Sequence, residues 1–246
     1  GMTTKEIDAK LSSQGVINKG NILNFDSSSL KSRYPWLTLR NVSGSTLGKS
    51  NELTIGGDRT ILNNKFNGNA LEGFLLPDTY YFYPQPNAKA AVYKLLDNFE
   101  AKALPILGKG DNIWELVTLA SLLEKEIPDY NEQKIAAGIL EKRLIAGMPL
   151  QVDATVVYIK CKGQFLDCPP ISDADYKADS PYNTYLYPGL PSGPISNPSA
   201  KTIEAAANPV KSDYWYYLSN PKTQKTIFSK TLDEHNKNRY KYLLNR

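Results

Sequence analysis

The sequence predicts an α+β domain rich in helices. Three observations carry that reading. Several segments repeat apolar side chains at helical spacing, the β-branched and aromatic runs are few and do not recur at a fixed interval, and chain-stop residues separate the two kinds of segment. With 246 residues, 41% apolar and 22% charged, the chain is long enough to bury a sizeable core. G-x-G-x-x-G, P-loop, H-E-x-x-H and zinc-finger spacings are all missing from the sequence, so nucleotide and metal chemistry have no support. The net charge of +4 has both signs interspersed, which does not make a nucleic-acid footprint.

Taken in order, residues 3–25 read as a short helix, a turn at Gly15 and a second short segment. Residues 26–70 are rich in Ser, Gly, Asn and Thr, which predicts loops and a hairpin around LTIGGDRTIL. Leu71 to Pro84 is dense in apolar and aromatic residues and reads as a buried strand with a turn at Pro77-Asp78. A helix follows from about Asn87 to Leu104, with Val92, Leu95, Leu96 and Phe99 on one side. The next runs from Asn112 to Ile127, where Pro128 stops it, and another from Asn131 to Ala146, closed by Gly147. Gln151 to Ile159 has the β-branched content of a strand. A Pro-rich loop leads to a helix over Ser199–Ala207, with Asn197 able to cap it and Pro198 at its first position. YWYYL and KTIFS form a hairpin around Asn220-Pro221, and Thr231 and Glu234 open the last helix as a capping box.

One residue breaks the pattern. On a helical wheel Ile113, Leu116, Val117, Ala120 and Ile127 form a stripe with Glu124 in its middle, while Glu115 and Glu126 fall on the opposite, wet face. A carboxylate on an apolar stripe must be paired, neutralised or set in a cleft. Partial burial would raise its pKa, as a general acid requires; a structural pair with Arg143 or Lys142 is the competing explanation. Cys161 and Cys168 lack companion ligands for zinc and read as a short-loop disulfide or as two free thiols. His235 is the lone histidine and reads as structural. Sixteen Tyr and three Trp, with Asn and Gln near them, suit a groove that stacks on sugars.

LASLLEKEIPD, RLIAGMPLQVDATVVY, SPYNTYLYPGLPSGPISNPS and LEGFLLPDTYYF together resemble the MltG-type (YceG-like) endolytic murein transglycosylase family, and IFSKTLDEHNKNRYKYL resembles its C-terminal end. The resemblance covers about 175 residues in the family's order, and the set of motifs is more specific than any one of them. It implies a lysozyme-like helical catalytic domain with a small mixed sheet over 67–246. Residues 1–66 would form a partial LysM-like segment plus loops, with Gly1-Met2 a cloning remnant. It implies Glu124, the first Glu of E-K-E, as the catalytic acid and base. Gln151, Asp153, Thr155, Asn183, Tyr185, Gly189, Leu190, Pro191 and Gly193 map onto substrate-cleft positions, and Ala154 stands where the family has Pro.

The implied reaction is cleavage of the β-1,4 bond after N-acetylmuramic acid, giving 1,6-anhydro ends and terminating nascent strands, without cofactor or metal. Glycan strands are the implied partner, with wall-synthesis enzymes beside them. No nucleic acid is involved, and the membrane enters only through a single-pass anchor upstream, which leaves the catalytic part outside the cytoplasm. Asp153 could instead be the second carboxylate of a muramidase, a positioner of sugar hydroxyls, or a local support. Asn183 and Gln151 suit acetamido groups, but turn-making and edge exposure also explain them; Tyr185 covers the site or merely packs. A glycan-binding protein without catalysis is the third alternative.

Overall fold

The computed structural model describes residues 1–30, 32–38, 71–83, 87–108 and 112–244. The hairpin expected around LTIGGDRTIL and the boundary at residue 66 lie outside the described residues. Helix α1, Thr4–Ser13, opens with a capping box in which Thr3 and Glu6 satisfy each other's backbone N–H. Ile7 and Leu11 of α1, then Ile17, Ile22, Leu30, Tyr34 and Trp36, are buried in the same apolar core as the rest of the chain.

Residues 71–83 are not a strand. Leu71–Phe74 form a turn and the chain then runs extended without a partner among the described residues. The apolar density that suggested a strand reflects burial alone: Leu71, Phe74, Leu75 and Leu76 are all sealed in the core. Gly73, at φ +93°, makes the turn, and a Cβ there would lie 2.6 Å from Pro194 and 2.8 Å from Val117. Only glycine allows both that backbone and that approach.

Helix α2, Ala88–Lys102, is capped by Asn87 and buries Val92, Leu95, Leu96 and Phe99, as its periodicity predicts. The single turn α3, Leu104–Leu107, leads to α4, Ile113–Glu126, which runs through the centre of the molecule. Val117, Ala120, Leu122 and Leu123 of α4 are fully buried. Helix α5, Tyr130–Ile145, is capped by Asp129 and ends at Gly147, whose φ of +65° lets Met148 N–H reach the carbonyl of Arg143.

Gln151–Ile159 is a helix rather than a strand. Gln151 turns the chain at φ +53° and α6, Asp153–Lys160, follows directly. Its Ala154, Thr155 and Val156 are buried, so tertiary packing overrides the preference of β-branched residues for strands. Helix α7, Ala200–Ala207, is capped by Ser199, which accepts from Thr202 N–H. Asn197 does not cap it; its carboxamide accepts instead from Gly73 and Leu75 N–H at 2.9 and 2.8 Å. Strands β1, Tyr216–Ser219, and β2, Thr226–Ser229, pair antiparallel with Tyr217 opposite Phe228, so the expected small mixed sheet is a hairpin. Helix α8, Leu232–Arg239, begins at the Thr231 cap and passes into one π-helical turn, Tyr240–Leu244. Cys161 and Cys168 are joined. Among the described residues no helix is long and apolar enough to cross a membrane.

Candidate active site

The last turn of α4 presents Glu124, Lys125 and Glu126 in three directions. Glu124 meets the N-terminus of α7: its Oε2 accepts from Ser199 N–H at 3.0 Å and from the Thr202 hydroxyl. Its Oε1 lies 3.0 Å from the amino group of Gly1, and its side chain keeps 15% exposure. Burial alone would raise this carboxyl's pKa, but the Thr202 bond, the nearby ammonium and the Ser199 bond together lower it. Neither Arg143 nor Lys142 pairs with it: Arg143 donates to the carbonyls of Trp215 and Leu150, and Lys142 to that of Ser212. Lys125 extends over the Phe165 ring at 3.8 Å and faces the charges of Glu6, Glu124 and Glu72.

Glu126 is not on a wet face. The N-terminus of α6 and the β-hairpin close over it: Oε1 accepts from Ala154 N–H at 3.0 Å, and the Ser219 hydroxyl donates to its backbone carbonyl at 3.2 Å. The residue as a whole is partly exposed, while its carboxyl is enclosed. Burial pushes its pKa up to about 7; the Ala154 bond opposes that and the charge of Asp153 adds to it. A carboxyl titrating there can both give and take a proton near neutrality.

Asp153, at the first position of α6, is exposed and accepts from two phenols, Tyr176 at 3.2 Å and Tyr185. Those rings meet edge to face, 4.7 Å between centres. Burial and the bond to Asp153 push the Tyr185 pKa far above its usual value, so its hydroxyl stays a donor. Glu126, Asp153, Tyr176, Tyr185 and Tyr217 thus form one cluster, in which Tyr217 lies in the electrostatic reach of both carboxyls and of Arg143.

Other predicted residues frame this cluster. Asn183 is buried; its amide donates to the Tyr176 and Ala178 carbonyls and its oxygen accepts from Tyr185 N–H. Every polar atom of that side chain is spent on holding the tyrosines. Thr155 is buried too, bonded to the Val152 carbonyl at 2.7 Å and to the Thr184 hydroxyl at 3.0 Å. Gln151 is exposed, with its backbone N–H on the Thr184 carbonyl. Gly189, Leu190, Pro191 and Gly193 form a turn whose end packs on Trp114: Gly189 holds φ +97°, Pro191 is buried, and a Cβ on Gly193 would lie 2.8 Å from the indole. Leu190 packs half-buried against the core.

Comparison with known proteins rests on the whole chain rather than on this cluster. Residues 1–241 match the family described as YceG-like. The chain belongs to the YceG-like family. An endolytic murein transglycosylase of Bacillus subtilis is 36% identical to this YceG-like chain over 192 residues, 75% of the chain and 52% of the relative. One from Streptococcus pneumoniae is 32% identical over 68% of the chain and 31% of the relative. The chain therefore spans about half of the first curated relative and about a third of the second. A solved structure of a putative yceG-like protein from Listeria monocytogenes superposes with a TM-score of 0.75 at 32% identity, covering 96% of this chain and 72% of that one.

Helical periodicity alone missed Glu126, because its surroundings come from α6 and the hairpin, which no wheel contains. One signal bore on its surroundings: Pro128 ends α4 so close behind Glu126 that another element can cover it. Tyr176 and Tyr217 carried no signal beyond a Tyr-rich composition.

Proposed function

We propose that this chain cleaves peptidoglycan glycan strands internally as a lytic transglycosylase, with Glu126 as acid and base and Glu124 as a structural carboxylate. The observation that carries the assignment is the enclosed Glu126 carboxyl, raised to about 7 and grouped with Asp153 and three tyrosines. Glu124, the residue favoured by periodicity, gives one carboxyl oxygen to the N-terminus of α7, and its other oxygen lies 3.0 Å from the Gly1 amino group.

In this reading the protonated Glu126 gives its proton to the glycosidic oxygen as the bond to C1 of N-acetylmuramic acid breaks. The resulting carboxylate takes the proton of the C6 hydroxyl, and O6 closes onto C1 as a 1,6-anhydro ring. Proton and bond counts balance without water, so one carboxyl suffices. Asp153 keeps the tyrosine pair oriented, and Asn183 and Thr155 fix the backbone beneath it. The lysozyme-like character of the helical core, an extracytoplasmic site anchored to the cell membrane, a role in ending nascent strands and a place beside wall-synthesis enzymes belong to the same reading. Of these, the relatives' name supports the extracytoplasmic site, because murein lies outside the cytoplasm.

A muramidase is the second reading, favoured by Asp153: an exposed carboxylate close enough to raise the Glu126 pKa could place a water at C1. Mass spectrometry of digested strands separates the two, because anhydro ends are lighter by one water than hydrolysed ends. Reducing ends alone would replace the transglycosylase with the muramidase. Full cleavage by Glu126→Gln would remove Glu126 from both.

A further inference from the structure

Helix α1 and the disulfide loop closed by Cys161 and Cys168 line a common groove of about 920 Å³, with Lys125 from the end of α4 between them. That volume is near the top of the range of about 300–1,000 Å³ for ligand sites, room for a short peptide and far too much for a single ion. Both walls are set by the fold. The Glu6 carboxylate accepts from Phe165 N–H at 2.7 Å and from Leu166 N–H at 3.1 Å, which ties the loop to α1. Buried Asp8 accepts from Gly20 and Ile22 N–H at 2.6 and 2.8 Å and holds the segment that forms the other rim.

The two acids of the lining are thereby spent on the protein's own backbone. Its four lysines are not. Lys10 and Lys19 are exposed, Lys5 reaches only the Lys162 carbonyl at 3.3 Å, and Lys125 lies over the Phe165 ring. Among the described residues none of the four makes an ion pair. Between these ammonium groups stand Leu23, 42% exposed, and Leu166, 69% exposed. Unpaired cations alternating with small apolar patches complement an acidic peptide with small apolar side chains. The concave shape suits a peptide better than a flat lipid surface.

We propose that this groove holds the acidic stem peptide that a glycan strand carries on N-acetylmuramic acid, with Lys10 and Lys19 meeting its carboxylates and Leu23 and Leu166 its methyl groups. The peptide hangs from the very sugar whose C1 bond is cut, so a strand at the end of α4 brings it beside the groove. The groove reaches that place: Gly1 lines it, and the Glu124 carboxyl lies 3.0 Å from the Gly1 amino group. The proposal rests on the glycan-cleaving reading of the chain, and it holds whichever carboxyl of that helical turn gives the proton.

The test compares strands bearing unamidated stem peptides with the same strands after an amidase has removed the peptides and left the glycan whole. Lys10→Gln combined with Lys19→Gln is expected to lower kcat/KM on peptide-bearing strands about three- to tenfold, the worth of two surface ion pairs. Stripped strands should be cut at the wild-type rate, and the thermal midpoint should stay within about 2 °C. The wild type should prefer peptide-bearing strands, and that preference should shrink as salt is raised. Equal rates of variant and wild type on peptide-bearing strands overturn the proposal; vesicles of anionic phospholipid that bind the wild type alone would then give the groove to a lipid surface. An equal loss on both kinds of strand overturns it too, because the lysines then serve the sugar or the fold. Should the wild type cleave neither, the glycan-cleaving reading fails instead. The groove is then judged by calorimetry with a free muramoyl peptide, where absent binding, or equal affinity for wild type and variant, overturns the proposal.

Discussion

Glu124 and Glu126 stand two residues apart on one helical turn, and each accepts from a helix N-terminus, α7 for the first and α6 for the second. A helix N-terminus favours the ionised form in both cases. They nevertheless move apart in acidity. Glu124 gains a hydroxyl donor from Thr202, which lowers its pKa. Glu126 is buried beside the like charge of Asp153 with one backbone donor, and its pKa rises to about 7. Burial is the main push on Glu126, with Asp153 adding to it, whereas at Glu124 the bonds to the ionised form oppose burial.

The largest effect that would break this comparison is catalytic. Glu126→Gln is expected to lower strand cleavage about 10³-fold, the scale of a lost general acid, as read from released fragments. Its folded form needs no ionised carboxyl: with the pKa raised, native Glu126 costs stability as pH climbs from the usual carboxylate range through about 7, so the variant melts no lower than wild type at pH 8. Wild-type turnover in this variant would exchange the roles of the two residues.

Next comes a purely structural site on the Glu124 side. Gly73→Ala drives a methyl into Pro194 and Val117 at a positive φ, and should cost about 2–3 kcal/mol, or about 5–10 °C in the thermal midpoint. An unshifted midpoint would mean that the 194–199 loop yields freely and does not brace Glu124.

Glu124→Gln should be milder: about 1–2 kcal/mol of stability lost from weakened charge-assisted bonds, with cleavage within about tenfold of wild type. Because the folded pKa of Glu124 is lowered, its contribution is present above the unfolded carboxylate range and vanishes as pH falls through the folded value. The melting difference should accordingly close in acid; a constant gap across pH would show that charge is not its source.

The smallest effect is a shift in a profile. Activity that needs protonated Glu126 is present below about pH 7 and lost above it. Burial is the main cause of the elevation and Asp153 the lesser, so Asp153→Asn should move the alkaline limb of kcat/KM downward by about half a unit to one unit while leaving it above that of a free carboxylate. An unmoved limb would exclude Asp153 as a partner of Glu126.

Much of the fold could be read from the chain. The helices around Val92, Val117 and Leu140, the stop at Pro128, the hairpin at Asn220 and the cap at Thr231 all follow local rules, and all are present. Two segments misled because composition was taken for geometry: Leu71–Leu76 is apolar because it is buried, and Val156, Val157 and Ile159 belong to a helix despite their branching. The site was half legible. Asp153, Tyr185 and their supports Asn183 and Thr155 converge, whereas Glu126 is covered by elements 28 and 93 positions further along the chain. A helical wheel knows only its own helix.

The clasp at Asn197 has a consequence for how the chain comes to be folded. Its side chain and backbone both bind the carbonyl of Met2, 195 positions earlier, and its carboxamide also reaches buried Glu72. Synthesis from the N-terminal side makes α1 well before its partner at Asn197, so α1 stays undocked until the loop that holds Asn197 has emerged. Closure over so long a separation is slow and leaves Ile7 and Leu11 uncovered in the meantime, so an apolar face made early relative to its partner docks late.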